Sequence, residues 1–127
     1  MPTIAWRRTT QGSQLILEPP DGVGQVICTS YYNDGPPEPE AVRRGVRMIT
    51  GPDVPLEAVS VGGWSGHTAR WTRGEMVAQG WWLLKGGELM FITWMRPAAQ
   101  ADAHAAEIAP LIAEVLRLPH APPGGDR

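Results

Sequence analysis

The sequence is poor in several residue types, and each shortage excludes a class of protein. Among 127 residues there is one cysteine, Cys28, so no internal disulfide can form. Lysine occurs once, at Lys85, and the net charge of −2 lacks the basic excess of a nucleic-acid-binding protein. No apolar run approaches the roughly 18 residues of a transmembrane helix, and no apolar signal segment follows the first charges. We therefore expect a cytoplasmic protein that binds neither nucleic acid nor a membrane.

Glycine and proline, in contrast, are abundant, with 15 and 13 residues respectively. So many turn-forming residues argue against a helical bundle and favour a turn-rich sheet protein. The hydrophobic fraction of 43% is typical of a folded chain, and the length suits a single core. We expect one globular domain over residues 1–118, followed by a flexible Pro/Gly-rich tail over residues 119–127.

Alternating, β-branched or aromatic segments predict the strands. The last of them is almost entirely apolar, which is typical of a central strand. The hairpin turns between them are marked by glycine, as in Asp21-Gly22. The predicted strands cover residues 3–6, 13–18, 26–32, 56–61, 64–73, 76–84 and 89–95.

Two segments have helical character. In residues 39–49, apolar side chains at positions i, i+4 and i+7 favour a helix, although a strand remains an alternative there. Residues 100–118 carry a long apolar stripe, and Pro110 within them predicts a kink or break at residues 104–109. We expect this second helix to pack in one core whose members are Phe91, Ile92, Ile108, Leu111, Ile112 and Val115.

Together these elements predict an α+β fold. We expect one antiparallel, strongly twisted sheet of about five to seven strands, with a helix after the third strand and a C-terminal helix packed on the sheet.

The C-terminal half resembles a known class of small domains. The residues that carry the resemblance are Val61-Gly62-Gly63, Gly80-Trp81-Trp82-Leu83, and the segments 89–93 and 108–118. They resemble the PsbP-like and DcrB-like α+β domains, a class that includes bacterial proteins associated with type VI secretion. The resemblance implies an antiparallel sheet with helices packed against it, and a role in binding or assembly.

Motifs with catalytic or metal-binding spacing are scarce. The glycine-rich segment 62–66 lacks the Gly-Lys-Ser/Thr ending of a phosphate-binding loop and opens a strand, so it favours a tight turn. His67, His104 and His120 lack metal-ligand spacing. Cys28 lies within a predicted strand, where a core position is favoured over a nucleophile. We expect no catalytic residue, metal or cofactor.

The tryptophans are unusual, with six in the chain against one phenylalanine. Adjacent residues of a strand point to opposite faces of a sheet, so either both faces are covered or some indole rings are exposed. Exposed aromatic residues are enriched in protein interfaces. We therefore predict two partner-binding patches, one in the aromatic and acidic segment after the third strand and one on the tryptophan-rich strands. Their residues are Tyr31, Tyr32, Asp34, Glu38, Glu40, Trp64, Trp71 and Trp82.

The sequence thus favours a non-enzymatic protein that binds another protein. A specific hypothesis is an immunity or adaptor protein cognate to a secreted bacterial toxin or effector; a homodimer remains an alternative. The enzyme alternative is a tautomerase-like protein with Pro2 as its base, since an exposed N-terminal proline amine serves that role in tautomerases. Residues 13–18 argue against it, because they predict a strand where the tautomerase pattern needs a long helix.

Overall fold

The computed structural model describes residues 6–12, 14–32, 39–51 and 53–117. Within them lie seven β-strands, two α-helices and a short 3₁₀ helix. In chain order these are β1 (Arg7–Gln11), β2 (Gln14–Glu18), β3 (Gln25–Tyr32), α1 (Pro39–Thr50), β4 (Glu57–Val61), β5 (Trp64–Arg73), β6 (Met76–Lys85), β7 (Glu88–Pro97), the 3₁₀ helix Ala98–Gln100 and α2 (Ala105–Arg117).

The strands form one antiparallel sheet in the order β1-β2-β3-β7-β6-β5-β4. The α+β prediction is therefore confirmed, and the apolar β7 is the central strand. Two-residue turns connect the hairpins of the second half. Gly62 and Gly63 join Val61 to its register partner Trp64, and their φ values are +54° and +89°. Glycine suits both positions because a type I′ turn requires positive φ at its two central residues.

The two helices pack on opposite faces of the sheet, because side chains alternate along every strand. In β7, Met90, Ile92 and Trp94 belong to the cluster with α2, whereas Leu89 and Phe91 belong to the cluster with α1. The α2 cluster comprises Trp6, Leu17, Val26, Cys28, Trp64, Trp81, Leu83, Met90, Ile92, Trp94, Ile108, Leu111, Ile112, Val115 and Leu116. The α1 cluster is built on Val46, Ala69, Trp71, Ala78 and Trp82.

The prediction that Phe91 packs with α2 was wrong, because its side chain points to the other face. There its ring stacks on Trp82 with 5.0 Å between centroids. The other five residues of the predicted core do lie in the α2 cluster.

The first described strand begins after the predicted segment 3–6. Residues 3–5 lie outside the described part of the chain, Trp6 is buried but not in a strand, and β1 covers Arg7–Gln11. All five residues of β1 are exposed at the edge of the sheet, where polar side chains are suited to water. A strand without a buried face has no apolar alternation, so the pattern could not locate it.

Helix α1 confirms the helical interpretation of residues 39–49. Val46 is buried and Val42 packs beside it, while Ile49 is 38% exposed. The helix ends at Gly51, which has a φ of +96° and donates its N–H to the Arg47 carbonyl at 2.8 Å. A left-handed glycine after the last turn is a common helix terminus.

Helix α2 begins later than predicted. The break expected at residues 104–109 occurs at His104, whose φ of +65° separates the preceding turn from the helix. Pro110 lies within α2 on its exposed side, so the Ala106 carbonyl that loses a helical hydrogen bond can be hydrated. Residues 118–127, which include the predicted tail, lie outside the described residues. Neither described helix has the length and apolar character needed to cross a membrane.

Candidate partner-binding groove

A groove of about 480 Å³ lies between α1 and the β4–β5 hairpin, on the sheet face that α1 covers. Its floor is contributed by three neighbouring strands and one wall by the helix. The lining residues are Val42, Arg43, Ala58, Val59, Ser60, Ser65, Gly66, His67, Trp82 and Leu84.

Strand register explains why there is space at this position. Ala58 is paired with His67, and Ser60 with Ser65, so three small side chains lie beside the imidazole of His67 on one face. Trp82 and Leu84 of β6 continue the same two rows. A hollow forms because Ala58, Ser60 and Ser65 lie between the larger side chains of β6 and the helix.

The floor of the groove is closely packed. The ring of Trp82 lies between two other aromatic rings, with centroid distances of 5.0 Å to Phe91 and 6.0 Å to Trp71. Gly66 allows β5 and β6 to approach closely, since a Cβ atom there would overlap the Trp82 carbonyl oxygen. A preformed floor of this kind lowers the entropic cost of binding.

The rim of the groove carries positive charge. Arg43 and His67 are the titratable residues among the described lining residues, and none of those residues is acidic. Arg43 is 3.8 Å from Glu40, with both side chains more than half exposed, so this ion pair is weak and leaves the guanidinium accessible. Arg44 adds a further exposed positive charge on α1.

One further feature borders the groove. Strand β4 lies at one end of the sheet and, among the described strands, pairs only with β5. Its outer backbone N–H and C=O groups can therefore bond to an extended chain.

Of the two alternatives for the tryptophans, the structure shows the one in which both faces of the sheet are covered, and a role of these residues in partner binding stays a prediction. Trp64, Trp71 and Trp82 are only 2%, 8% and 4% exposed, because α2 covers the face of the first and α1 covers the face of the other two. Trp82 nonetheless lines the groove through its remaining accessible surface.

The second predicted patch falls mostly outside the described residues. Asp34 and Glu38 lie outside the described residues. For Tyr31 and Tyr32 only the backbone, within β3, is described. Glu40 lies exposed in the first turn of α1, beside Arg43. The role of this segment in partner binding stays a prediction, and Pro2 likewise lies outside the described residues.

Sequence reasoning missed the groove itself. Its distinguishing residues are Ala58, Ser60 and Ser65, and small or weakly polar residues are common in any strand. The one usable signal was that Ala58 and Ser60 alternate with Val59 and Val61, which places two small side chains of β4 on one face.

Cys28 occupies the core position that was predicted for it. It is buried in the α2 cluster, and burial raises the pKa of its thiol to about 12. At neutral pH the sulfur is therefore protonated, and it acts as a small apolar side chain.

Comparison with known proteins gives a likeness of fold. No protein-family model matches the chain, and the search of curated proteins finds no significant match. A similar solved structure is the 1.50 Å crystal structure of a protein from Bacteroides thetaiotaomicron VPI-5482, with a TM-score of 0.56 and 18% identity. The match covers 82% of this chain and 40% of that one, so this chain spans less than half of its neighbour's length.

Proposed function

We propose that this chain is a non-enzymatic protein-binding domain whose groove receives an extended, acidic segment of a partner protein. The observation that carries the proposal is the combination of an apolar floor, a cationic rim and a strand edge that no other described strand pairs with, all in one place. Each of these three features supplies a different part of peptide recognition.

The apolar floor would supply most of the affinity. Trp82 and Leu84 form its centre, and a volume of about 480 Å³ is within the usual range for ligand sites, with space for one or two side chains. Burial of an apolar side chain of the partner on this surface would contribute about 1.5 to 3 kcal/mol.

The rim and the strand edge would supply orientation and specificity. A guanidinium such as that of Arg43 binds a carboxylate with two parallel hydrogen bonds. The edge of β4 offers backbone groups to an added strand, a mode of recognition that leaves alternate side chains of the peptide facing the groove. A segment with acidic residues beside one apolar residue complements all three features.

A narrower proposal concerns the identity of the partner. The resemblance to PsbP-like and DcrB-like domains suggests an immunity or adaptor protein that binds a secreted bacterial effector or toxin. In that case the acidic segment belongs to the effector.

The proposal can be tested before the partner is identified. A phage-displayed library of random peptides is selected on the wild-type protein, and the affinity of the enriched peptides is measured by calorimetry. We expect peptides with Asp or Glu beside a large apolar residue. We expect Arg43→Glu to weaken their binding at least about tenfold, the equivalent of roughly 1.4 kcal/mol. Ser65→Trp, which fills the groove, should weaken it further.

The matched control is Arg117→Glu, which makes the same charge reversal on α2, at the opposite face of the sheet. It should leave the affinity unchanged, and thermal melts establish that all variants are folded. The proposal is wrong if no peptide is enriched, if the enriched peptides are not acidic, or if Arg43→Glu and Arg117→Glu have equal effects.

A further inference from the structure

A cluster of charged side chains lies away from the groove, where α2 begins. His104, in its left-handed conformation, places its Nε2 atom 3.0 and 2.9 Å from the two carboxylate oxygens of Asp21. Its Nδ1 atom is 3.1 Å from Oε1 of Glu107. Both ring nitrogens therefore face a carboxylate.

This geometry requires a particular protonation state. A neutral imidazole carries one N–H, so it can donate to only one of the two carboxylates, whereas the imidazolium ion donates to both. In the neutral form, one ring nitrogen would direct its lone pair at a carboxylate oxygen, which is repulsive.

Other hydrogen bonds hold both carboxylates in place as acceptors. Glu107 Oε1 accepts the indole N–H of Trp6 at 2.8 Å, and Asp21 Oδ1 accepts the backbone N–H of Val23 at 2.9 Å. Neither group can turn away from His104 without losing a second bond. The imidazole also meets the Trp6 ring edge-to-face, with 5.4 Å between centroids.

The cluster joins three segments that are distant in the chain. Asp21 lies in the turn between β2 and β3, Glu107 in the first turn of α2, and Trp6 immediately before β1. His104 is 83 residues from Asp21, and Trp6 is 101 residues from Glu107. The side chain of His104 is 18% exposed, so solvent protons can reach it.

We propose that His104 is a pH-sensitive latch, whose imidazolium holds the β2–β3 turn and the side chain of Trp6 against the start of α2. When the imidazolium loses its proton, one of the two carboxylate bonds is lost. The turn and the first turn of α2 then open more often, and Trp6 becomes accessible. This device does not depend on the function of the groove.

The pKa shifts agree in direction with this geometry. The hydrogen bond to Asp21 is the largest cause that raises the pKa of His104 above 6.5. The pKa of Asp21 is lowered from 3.8, first by its bond to the Val23 N–H and then by His104. A raised histidine pKa stabilises the closed form below pH 6.5, and this stabilisation is lost as the pH rises through the raised value. The stabilisation that comes from Asp21 is present above pH 3.8 and is lost on acidification. The latch is therefore closed between pH 3.8 and pH 6.5.

Two more charged groups, Arg96 and Asp102, lie near the segment that precedes α2. Arg96 of β7 donates its Nε–H to the Ala101 carbonyl at 3.0 Å. Burial lowers the pKa of Arg96 to about 10, and the charge of Asp102 opposes this shift. The titratable groups that face the ring of His104 among the described residues are Asp21 and Glu107.

The test combines titration with hydrogen exchange. The pKa of His104 is measured by NMR of its ring carbons. Protection of the backbone amides in the β2–β3 turn and the first turn of α2 is measured at a pH between 3.8 and 6.5 and at alkaline pH, with correction for intrinsic exchange. We expect protection to fall at alkaline pH, by a factor of about ten for each unit by which the His104 pKa exceeds its ordinary value.

Conservative variants isolate the charge. Asp21→Asn keeps an oxygen for the Val23 N–H, and Glu107→Gln keeps one for Trp6, so both should lower the pKa of His104 while the fold is retained. His104→Asn suits the left-handed backbone and removes the titration, so its protection should no longer depend on pH. The matched control is His67→Asn, in the groove, which should keep the pH dependence. A His104 pKa at or below 6.5, or equal protection at the two pH values, would overturn the proposal.

Discussion

Removal of the Leu111 side chain tests whether α2 is part of the main core. Leu111 is 3% exposed and belongs to the cluster that joins α2 to the sheet. Leu111→Ala deletes three buried carbon atoms, which corresponds to about 2.4 kcal/mol of transfer free energy at about 0.8 kcal/mol each. The cavity left behind adds to this, so we expect a loss of about 3 to 4 kcal/mol in the free energy of unfolding.

The assay is urea denaturation followed by tryptophan fluorescence. With an m-value of about 2 kcal/mol/M, the midpoint should fall by roughly 1.5 to 2 M. The control is Met48→Ala on the exposed side of α1, which should change stability by less than about 0.5 kcal/mol. If the two variants had the same midpoint, α2 would not pack on the sheet as described.

Two further comparisons test the packing of the sheet. Gly66→Ala should destabilise by about 1 to 3 kcal/mol, because its Cβ would overlap a backbone carbonyl of β6. Gly45→Ala should instead stabilise by about 0.5 to 1 kcal/mol, because Gly45 lies in a helix with no atom within 4 Å of the added Cβ. Melting temperatures that change in the same direction for both variants would contradict this. Trp6→Phe should cost about 1.5 to 3 kcal/mol more than Trp94→Phe, because Trp6 donates to the Glu107 carboxylate, whereas the indole N–H of Trp94 has no acceptor among the described residues. Chemical denaturation checks the difference, and equal losses would show that the bond to Glu107 contributes nothing.

Local patterns were sufficient for the second half of the sheet. Strand β5 was predicted with its observed bounds and β6 within one residue, because a glycine-containing turn marks each end of these strands. The central position of β7 followed from its apolar composition, since a strand covered on both faces needs no polar side.

The packing of the helices on the two faces of the sheet could not be predicted in the same way. Six tryptophans suggested exposed aromatic residues, but the burial of Trp64 and Trp71 depends on which helix covers which face. Phe91 was assigned to the wrong side of the sheet for the same reason. Periodicity gives the alternation of a strand but does not say where a helix distant in the chain will pack.

The two charged sites were beyond sequence reasoning for a related reason. The residues of the latch come from two distant parts of the chain, Asp21 in one and His104 with Glu107 in the other, and no spacing in the sequence indicates that Asp21 meets the other two. The groove depends on the register that aligns Ala58 with His67 and Ser60 with Ser65. Only the pairing of β4 with β5 turns these ordinary residues into a hollow.

The central claim is that the groove beside α1 binds an extended acidic segment, and the most direct measurement is a map of where such a segment binds. The tightest selected peptide, carrying a nitroxide spin label, is added to the ¹⁵N-labelled protein, and the broadening of each backbone amide signal is recorded by NMR. We predict that broadening is strongest in α1, β4 and β5, and that Ser65→Trp abolishes it. Broadening centred on α2 or on the β2–β3 turn, or broadening that survives Ser65→Trp, would contradict the claim.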